Sequence, residues 1–269
     1  MHRIKQTLEK ALLEAGALVK RSIEKPIKIQ YKSPVSLVTE IDKKAERVII
    51  DIIRQNFPDH SILAEESGES GTSSGRNRSR KRTGTVRKWI IDPIDGTTNF
   101  AHRFPIACVS IAFEEEGIVK VGGVWNPFYG EWFWAEHGKG ASLNGKKIRV
   151  SKQNRLKESL LVTGFPYDRR EHADYYLNFM KAFMIETQGI RRLGSAALDL
   201  CYVACGRFDG YWEFKLKAWD QAAGALIAQE AGARLSDFRG RPMSIYGHET
   251  LATNGHIHHA MLKVIKKFL

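Results

Sequence analysis

Five acids stand where secondary-structure elements begin or end rather than along exposed helix faces: Asp42, Glu65, Asp92, Asp95 and Asp220. Two of them lie three residues apart in WIIDPIDGTTNF, residues 89–100, directly after an apolar run. Pro93 disfavours helical geometry at Asp92 and removes a backbone donor, so Asp92 reads as the end of a strand, with Asp95 across a tight turn. Two carboxylates held in that way can share one cation. An all-oxygen set suits Mg²⁺, which keeps several waters and is commonly completed by a substrate phosphate. Gly96-Thr97-Thr98 follows at what reads as a helix start, where outward amide hydrogens and the helix dipole favour an anion. Acids for a metal beside amides for a phosphate are the parts of metal-assisted phosphate-ester hydrolysis. On spacing alone, D-P and D-G pairs serve equally as turn and cap residues. Asp220 reads as the N-cap of a following helix, and Glu65 with Glu66 as a solvated strand end.

The elements that must carry these acids are visible in the apolar periodicity. Ile4, Leu8, Leu12, Ala15 and Leu18 recur at helical spacing. A second helix is predicted over about 41–56, with Val48, Ile49, Ile52 and Ile53 inward and Thr39 and Asp42 spaced as a capping box. SILAEES reads as a short strand ending in acids. Residues 104–135 hold three β-rich runs that suggest a meander, and LNGKKIRV supplies a hairpin turn at Asn144-Gly145. From 160 onward the strands LLVTGF, GIRRL and GYWEF alternate with helices expected at about 172–183, 195–205 and 220–231, which predicts layered α/β structure. The expectation is one unit over 1–269. An α+β half, 1–150, carries most of the acids, an α/β half, 151–269, adds Asp220, and a cleft lies between them.

Composition narrows the classes. With 269 residues and 43% hydrophobic content the chain can bury a large core. Three cysteines, Cys108, Cys201 and Cys205, in apolar surroundings argue against a disulfide scaffold, and no apolar run approaches membrane-spanning length, so a cytoplasmic setting is expected. Half of the net charge of +12 sits in residues 68–88, GESGTSSGRNRSRKRTGTVRK, with seven Lys or Arg and one Glu. That stretch lacks periodicity and is expected to be a mobile basic loop. It has no aromatics for stacking bases, so nucleic acid is the less favoured partner. HIHH at 256–259 reads as part of a surface helix rather than a metal site, and Trp125, Trp132 and Trp134 as core or subunit interface.

Four motifs in order carry a family resemblance. WIIDPIDGTTNFAHRFP and WDQAAGALIAQEAGA resemble the two signatures of the inositol monophosphatase family, and SPVSLVTEIDKKAE and ILAEES match its earlier motifs. The resemblance implies the layered αβαβα sandwich shared with fructose-1,6-bisphosphatase. It also implies a homodimer and a Mg²⁺-dependent, Li⁺-sensitive phosphatase. It assigns Glu65, Asp92 and the backbone carbonyl of Ile94 to a first Mg²⁺, and Asp92, Asp95 and Asp220 to a second. A third, weaker Mg²⁺ would sit near Glu65 and Asp42. The attacking water would be oriented by Glu65 and Thr97, with Asp42 assisting.

On the substrate side, RRLGSAALDL and GYWEFKLKAWD match the family's substrate-facing segments. Asp95, Gly96, Thr97, Gly194, Ser195, Ala196 and Glu213 are implied as contacts, with Glu213 accepting from polyol hydroxyls. Locally, Glu213 reads as a strand-surface acid. The chain departs from the family pattern at Gly232-Ala233, where Gly-Gly is common, at Ser195, often Thr, and in the long basic stretch before Trp89. The expected reaction is hydrolysis of inositol-1-phosphate. Fructose-1,6-bisphosphate, histidinol phosphate and 3'-phosphoadenosine nucleotides are the alternative substrates, and the alternative of another class is a nucleic-acid-associated regulatory protein using residues 76–88.

Overall fold

The computed structural model describes residues 1–25, 28–31, 37–71 and 85–269. Seven helices are present among them: α1 (His2–Ser22), α2 (Glu40–Asn56), α3 (Thr97–Ala101), α4 (Arg169–Glu186), α5 (Ala196–Ala204), α6 (Ala218–Glu230) and α7 (His258–Ile265). They flank and separate two main sheets. The larger has eight strands in the spatial order Lys146–Lys147, Gly140–Leu143, Glu131–Glu136, Ile118–Asn126, Cys108–Glu115, Arg87–Asp95, Ser61–Ala64 and Gly68–Ser70. The smaller has five, in the order Gly189–Arg191, Leu160–Thr163, Gly210–Phe214, Glu249–Thr253 and Arg234–Ser236. A separate pair joins Ile29–Tyr31 to Leu37–Thr39.

Burial around each helix explains the layering. α1 and α2 bury one stripe each and pack on one face of the eight-stranded sheet, with Leu8, Leu12, Ile49 and Ile53 against Trp89, Ile91 and Ile111. α5 is buried at every position, as is α6 over most of its length, which is the pattern of helices covered on all sides. They form the middle layer, joining Ile90, Ala112 and Val124 of one sheet to Val162, Tyr211 and Ala252 of the other. Small residues permit the close approach: a Cβ on Gly122 would stand 3.0 Å from the Ala223 Cα of α6, and one on Gly224 would stand 2.9 Å from Leu200 Cβ of α5. α4 and α7 cover the far face of the five-stranded sheet through Phe179, Phe183, Met261 and Ile265. The result is the αβαβα sandwich that the resemblance implies.

Several local expectations change. Asn144 and Gly145 both have positive φ, as the hairpin requires, but the second strand of that hairpin stops at Lys147. α4 begins at Arg169, earlier than the periodicity indicates, and carries a kink at His172. α6 begins at Ala218, so Asp220 is the third helical residue, not the N-cap. His258 is fully buried rather than on a surface helix face, with Nε2 3.0 Å from Ser236 Oγ and Nδ1 2.9 Å from Thr253 Oγ1. Burial pushes its imidazole down to about 4, so it serves as a neutral core residue. The expected loop at 68–88 is ordered at both ends, where Gly68–Ser70 and Arg87 onward are strands and Lys88 lies 3.1 Å from Glu69. Its central residues, 72–84, lie outside those described.

Candidate active site

The strand Arg87–Asp95 delivers the paired acids by breaking its own alternation. It continues through Asp95 instead of ending at Asp92, and between them it holds one residue more than its neighbour: Asp92 pairs with Ser110, and Asp95 with Cys108. In a regular strand, residues three apart point to opposite faces. The bulge at Pro93-Ile94 restores parity, so Ile94 joins the outer cluster with Trp89 and Ile91 while Asp95 meets α5 on the inner side. Proline suits this position because the peptide has left the ladder and needs no donor. Gly96 then turns the chain at φ 96°, where a Cβ would also come within 2.8 Å of the Ile106 carbonyl oxygen.

Neighbouring elements bring the other acids to the same place. Ser61–Ala64 runs parallel to the Asp92 strand, Ala64 is paired with Ile91, and the Glu65 amide donates to the Ile91 carbonyl at 3.2 Å. Glu65 is therefore set down beside Asp92. Asp42 caps α2 as the sequence indicates, accepting from the Thr39 amide at 2.9 Å and from the Thr39 hydroxyl, and its other oxygen lies 2.9 Å from Thr97 Oγ1. Thr97 Oγ1 is also 3.0 Å from the Ile94 carbonyl, so its single proton serves one acceptor at a time. On α6, Asp220 accepts from the Lys217 amide at 2.6 Å.

Glu65, Asp92, Ile94, Asp95, Gly96, Thr97 and Asp220 line the acidic side of a cavity of about 710 Å³, and Gly194, Ala196 and Glu213 line another. Two expected residues do not reach it. Asp42 acts through Thr97, and Ser195 is 1% exposed with its hydroxyl donating to Asp95 Oδ2 at 2.7 Å, so it orients an acid rather than meeting a ligand. Glu213 is no surface acid: it is 9% exposed, it accepts from the Tyr211 hydroxyl at 2.6 Å, and it faces the cavity.

The buried acids repel one another. Burial raises Asp92 well above the usual carboxylate range, and the charges of Glu65, Asp95, Asp220 and Asp42 push it the same way. Burial and then Asp95 raise Asp220. Burial lifts Asp95 to about 6 against the pull of the Ser195 and Ala197 donors, and lifts Asp42 to about 6 against Thr39 and Thr97. Glu213 is raised to about 7 by burial, with Tyr211 and Arg192 pulling it down. Like charges gathered on hard oxygen donors fit a divalent cation such as Mg²⁺. No three acid, His or Cys side chains among the described residues stand as a ready-made metal-holding group.

Three residues passed over in the sequence complete the site. Asn99 donates to the Ile106 carbonyl at 2.8 Å and to the Leu193 carbonyl at 2.7 Å, tying the turn after Asp95 to the segment bearing Gly194. Gly164 leaves room for Glu213, whose carboxylate would stand 2.2 Å from any Cβ there. Cys108 places its thiol 3.8 Å from Asp95 Oδ2. The polar Asn in DGTTNF and the Gly ending an apolar strand in LLVTG were the available signals.

A model of the family described as Inositol monophosphatase family matches residues 1–268. The chain belongs to the inositol monophosphatase family. It is 46% identical over 257 residues to an inositol-1-monophosphatase of Synechocystis, covering 95% of this chain and 86% of that protein. It is 42% identical over 265 residues to Nus factor SuhB of Pseudomonas aeruginosa, covering 97% and 92%. Among solved structures, extragenic suppressor protein suhB of Bartonella henselae superposes with a TM-score of 0.90 at 36% identity, covering 99% of both chains. An inositol monophosphatase from Anabaena does so at 0.85 and 41%, covering 98% and 95%. Family membership supports a phosphatase, generally metal-dependent, acting on a phosphorylated small molecule. No helix among the described residues is long and apolar enough to cross a membrane.

Proposed function

We propose that the protein is a Mg²⁺-dependent phosphomonoesterase that hydrolyses inositol-1-phosphate to inositol and phosphate. The observation that carries this reading is the cavity itself, with Glu65, Asp92, Asp95 and Asp220 on its walls and Glu213 among them as the acid fixed by a tyrosine. Glu65, Asp92 and the Ile94 carbonyl would hold one ion, Asp92, Asp95 and Asp220 a second, and a weaker third would sit near Glu65 and Asp42, largely through water. When bound, Mg²⁺ would supply a water nucleophile at neutral pH and stabilise the leaving oxygen. Thr97 gives its hydroxyl proton to Asp42 or to the Ile94 carbonyl, which leaves its oxygen free to accept from the attacking water. Glu65 orients that water and takes its proton. The Gly96 and Thr97 amides receive the phosphate, and Gly194, Ala196 and Glu213 receive the ring hydroxyls. Li⁺ inhibition, a homodimer and a cytoplasmic setting belong to the same reading by family analogy.

Phosphate release from inositol-1-phosphate, fructose-1,6-bisphosphate, histidinol phosphate and 3'-phosphoadenosine 5'-phosphate, each with Mg²⁺ and with chelator, tests it. Metal-dependent preference for inositol-1-phosphate is expected, and equal or better turnover of another member would move the substrate. A second reading draws on the relative named a Nus factor and on the seven Lys or Arg of residues 68–88. In that reading the chain also associates with nucleic acid. Salt-dependent RNA binding that disappears when residues 71–87 are deleted would establish it, and binding unaffected by the deletion would remove it.

A further inference from the structure

Asp199 lies outside the chemistry just described, yet its burial asks for an account. It sits on α5 in the apolar stretch AALDLCYVA, is 1% exposed, and neither carboxyl oxygen has a hydrogen-bond partner among the described residues. An ionised carboxyl without a partner there would be an uncompensated buried charge, which folded proteins avoid by keeping the acid protonated. Burial does hold Asp199 well above the usual carboxylate range. A neutral carboxyl carries one O–H donor.

The strand Gly210–Phe214 shows which groups share the face toward α5. Trp212 and Phe214 belong to the cluster on the α4 and α7 side, and Tyr211 to the cluster containing α5. By strand alternation Glu213 shares the Tyr211 face, toward α5. The charge acting most on Asp199 is that of Glu213, and Tyr211 feels Glu213 first and Asp199 next. Tyr211 already donates to Glu213 Oε2. We propose that Asp199, as a neutral acid, is a positioning residue for Glu213. Through a bridging water, it supplies the second donor that fixes this carboxylate for the hydroxyls of a polyol leaving group. The inference rests on the reading of Glu213 as the polyol acceptor. It predicts that Asp199 tunes which alcohol is accepted, without touching phosphate or metal.

The test measures Mg²⁺-saturated phosphate release from inositol-1-phosphate and from p-nitrophenyl phosphate, which has no polyol, for wild type, Asp199→Leu, Asp199→Asn, Glu213→Gln and the Leu/Gln double variant. Asp199→Leu is expected to raise KM for inositol-1-phosphate about tenfold with kcat little changed, and to leave p-nitrophenyl phosphate unaffected. Asp199→Asn, which keeps a donor, restores KM toward wild type. The double variant should be no worse than Glu213→Gln alone, because both act on one contact. Two readouts are independent of activity. Melting of Asp199→Leu should be no lower than wild type, since an unpaired polar group has been replaced by an apolar one. The infrared band of a protonated carboxyl should vanish in Asp199→Asn. Wild-type KM in Asp199→Leu, equal losses in the Leu and Asn variants, or an unfolded Asp199→Leu would each overturn the inference while leaving the hydrolase reading intact. A Glu213→Gln variant with unchanged KM would instead overturn the Glu213 assignment, and the inference with it.

Discussion

The two sides of the cavity solve different problems with the same residue type. On one, Asp92, Asp95, Asp220 and Glu65 crowd charges of one sign, and each raises the proton affinity of its neighbours. On the other, burial raises Glu213, and the Tyr211 hydroxyl and then the cationic Arg192 lower it. The acidic wall gathers mutually repelling carboxylates, an arrangement that suits a cation. The Glu213 side needs only hydroxyl donors of moderate strength. Substitutions should therefore abolish turnover on the first side and change selectivity on the second.

The largest effect is expected from Asp92→Asn. Removing an acid that burial and four neighbouring acids all raise should lower Mg²⁺-dependent kcat by about a thousandfold or more, while the melting temperature without metal rises, because one member of a buried like-charged group has gone. Turnover near wild type would show that the wall does not serve the chemistry. Thr97→Val should cost about a hundredfold in kcat through loss of the hydroxyl between Asp42 and Ile94, and Thr97→Ser should recover most of it.

A subtler difference lies in pH. Asp42 and Asp95 at about 6 and Glu213 at about 7 bind protons more tightly folded than unfolded. Stability of the metal-free protein therefore falls as pH rises from about 4 to about 7, by on the order of 5 °C or more in melting temperature. Added Mg²⁺ should offset the loss more at pH 8 than at pH 5, because protonated acids bind it poorly. Calorimetry with and without chelator decides this, and a metal-free protein that grows more stable over that range would contradict the electrostatic account. The smallest effect is reserved for Gly164→Ala: its Cβ would press on Glu213, raising KM for a polyol phosphate about fivefold with kcat nearly constant.

Much of this contrast was legible in the sequence because it rests on local rules. The Thr39–Asp42 capping box, the Asn144-Gly145 turn and the layered alternation all depend on spacings of four residues or on element periodicity, and the structure contains them. Where one strand meets another, local rules fail. The bulge that gathers Asp92 and Asp95 depends on how strand Cys108–Glu115 is registered against them. The commitment of the Ser195 hydroxyl to Asp95 spans 100 residues of sequence, and the burial of His258 depends on Ser236 and Thr253 closing over its ring. Asp199 looks like any helical acid until both of its flanking layers are in place, although a lone acid within nine otherwise uncharged residues was a visible clue.

The bulge at Pro93 makes the acidic wall a matter of counting. With three residues from Asp92 to Asp95, the pair shares a face only while the bulge persists: ironing it out at constant length would turn Asp95 into the hydrocarbon beneath α1 and α2, whereas removing one residue leaves a spacing of two, which a regular strand keeps on one face. The acidic wall thus depends on where the ladder is interrupted as much as on which residues stand there. A lineage could lose one codon here and keep both carboxylates on one side of the sheet, but a change that let the full-length strand pair regularly would place them on opposite sides.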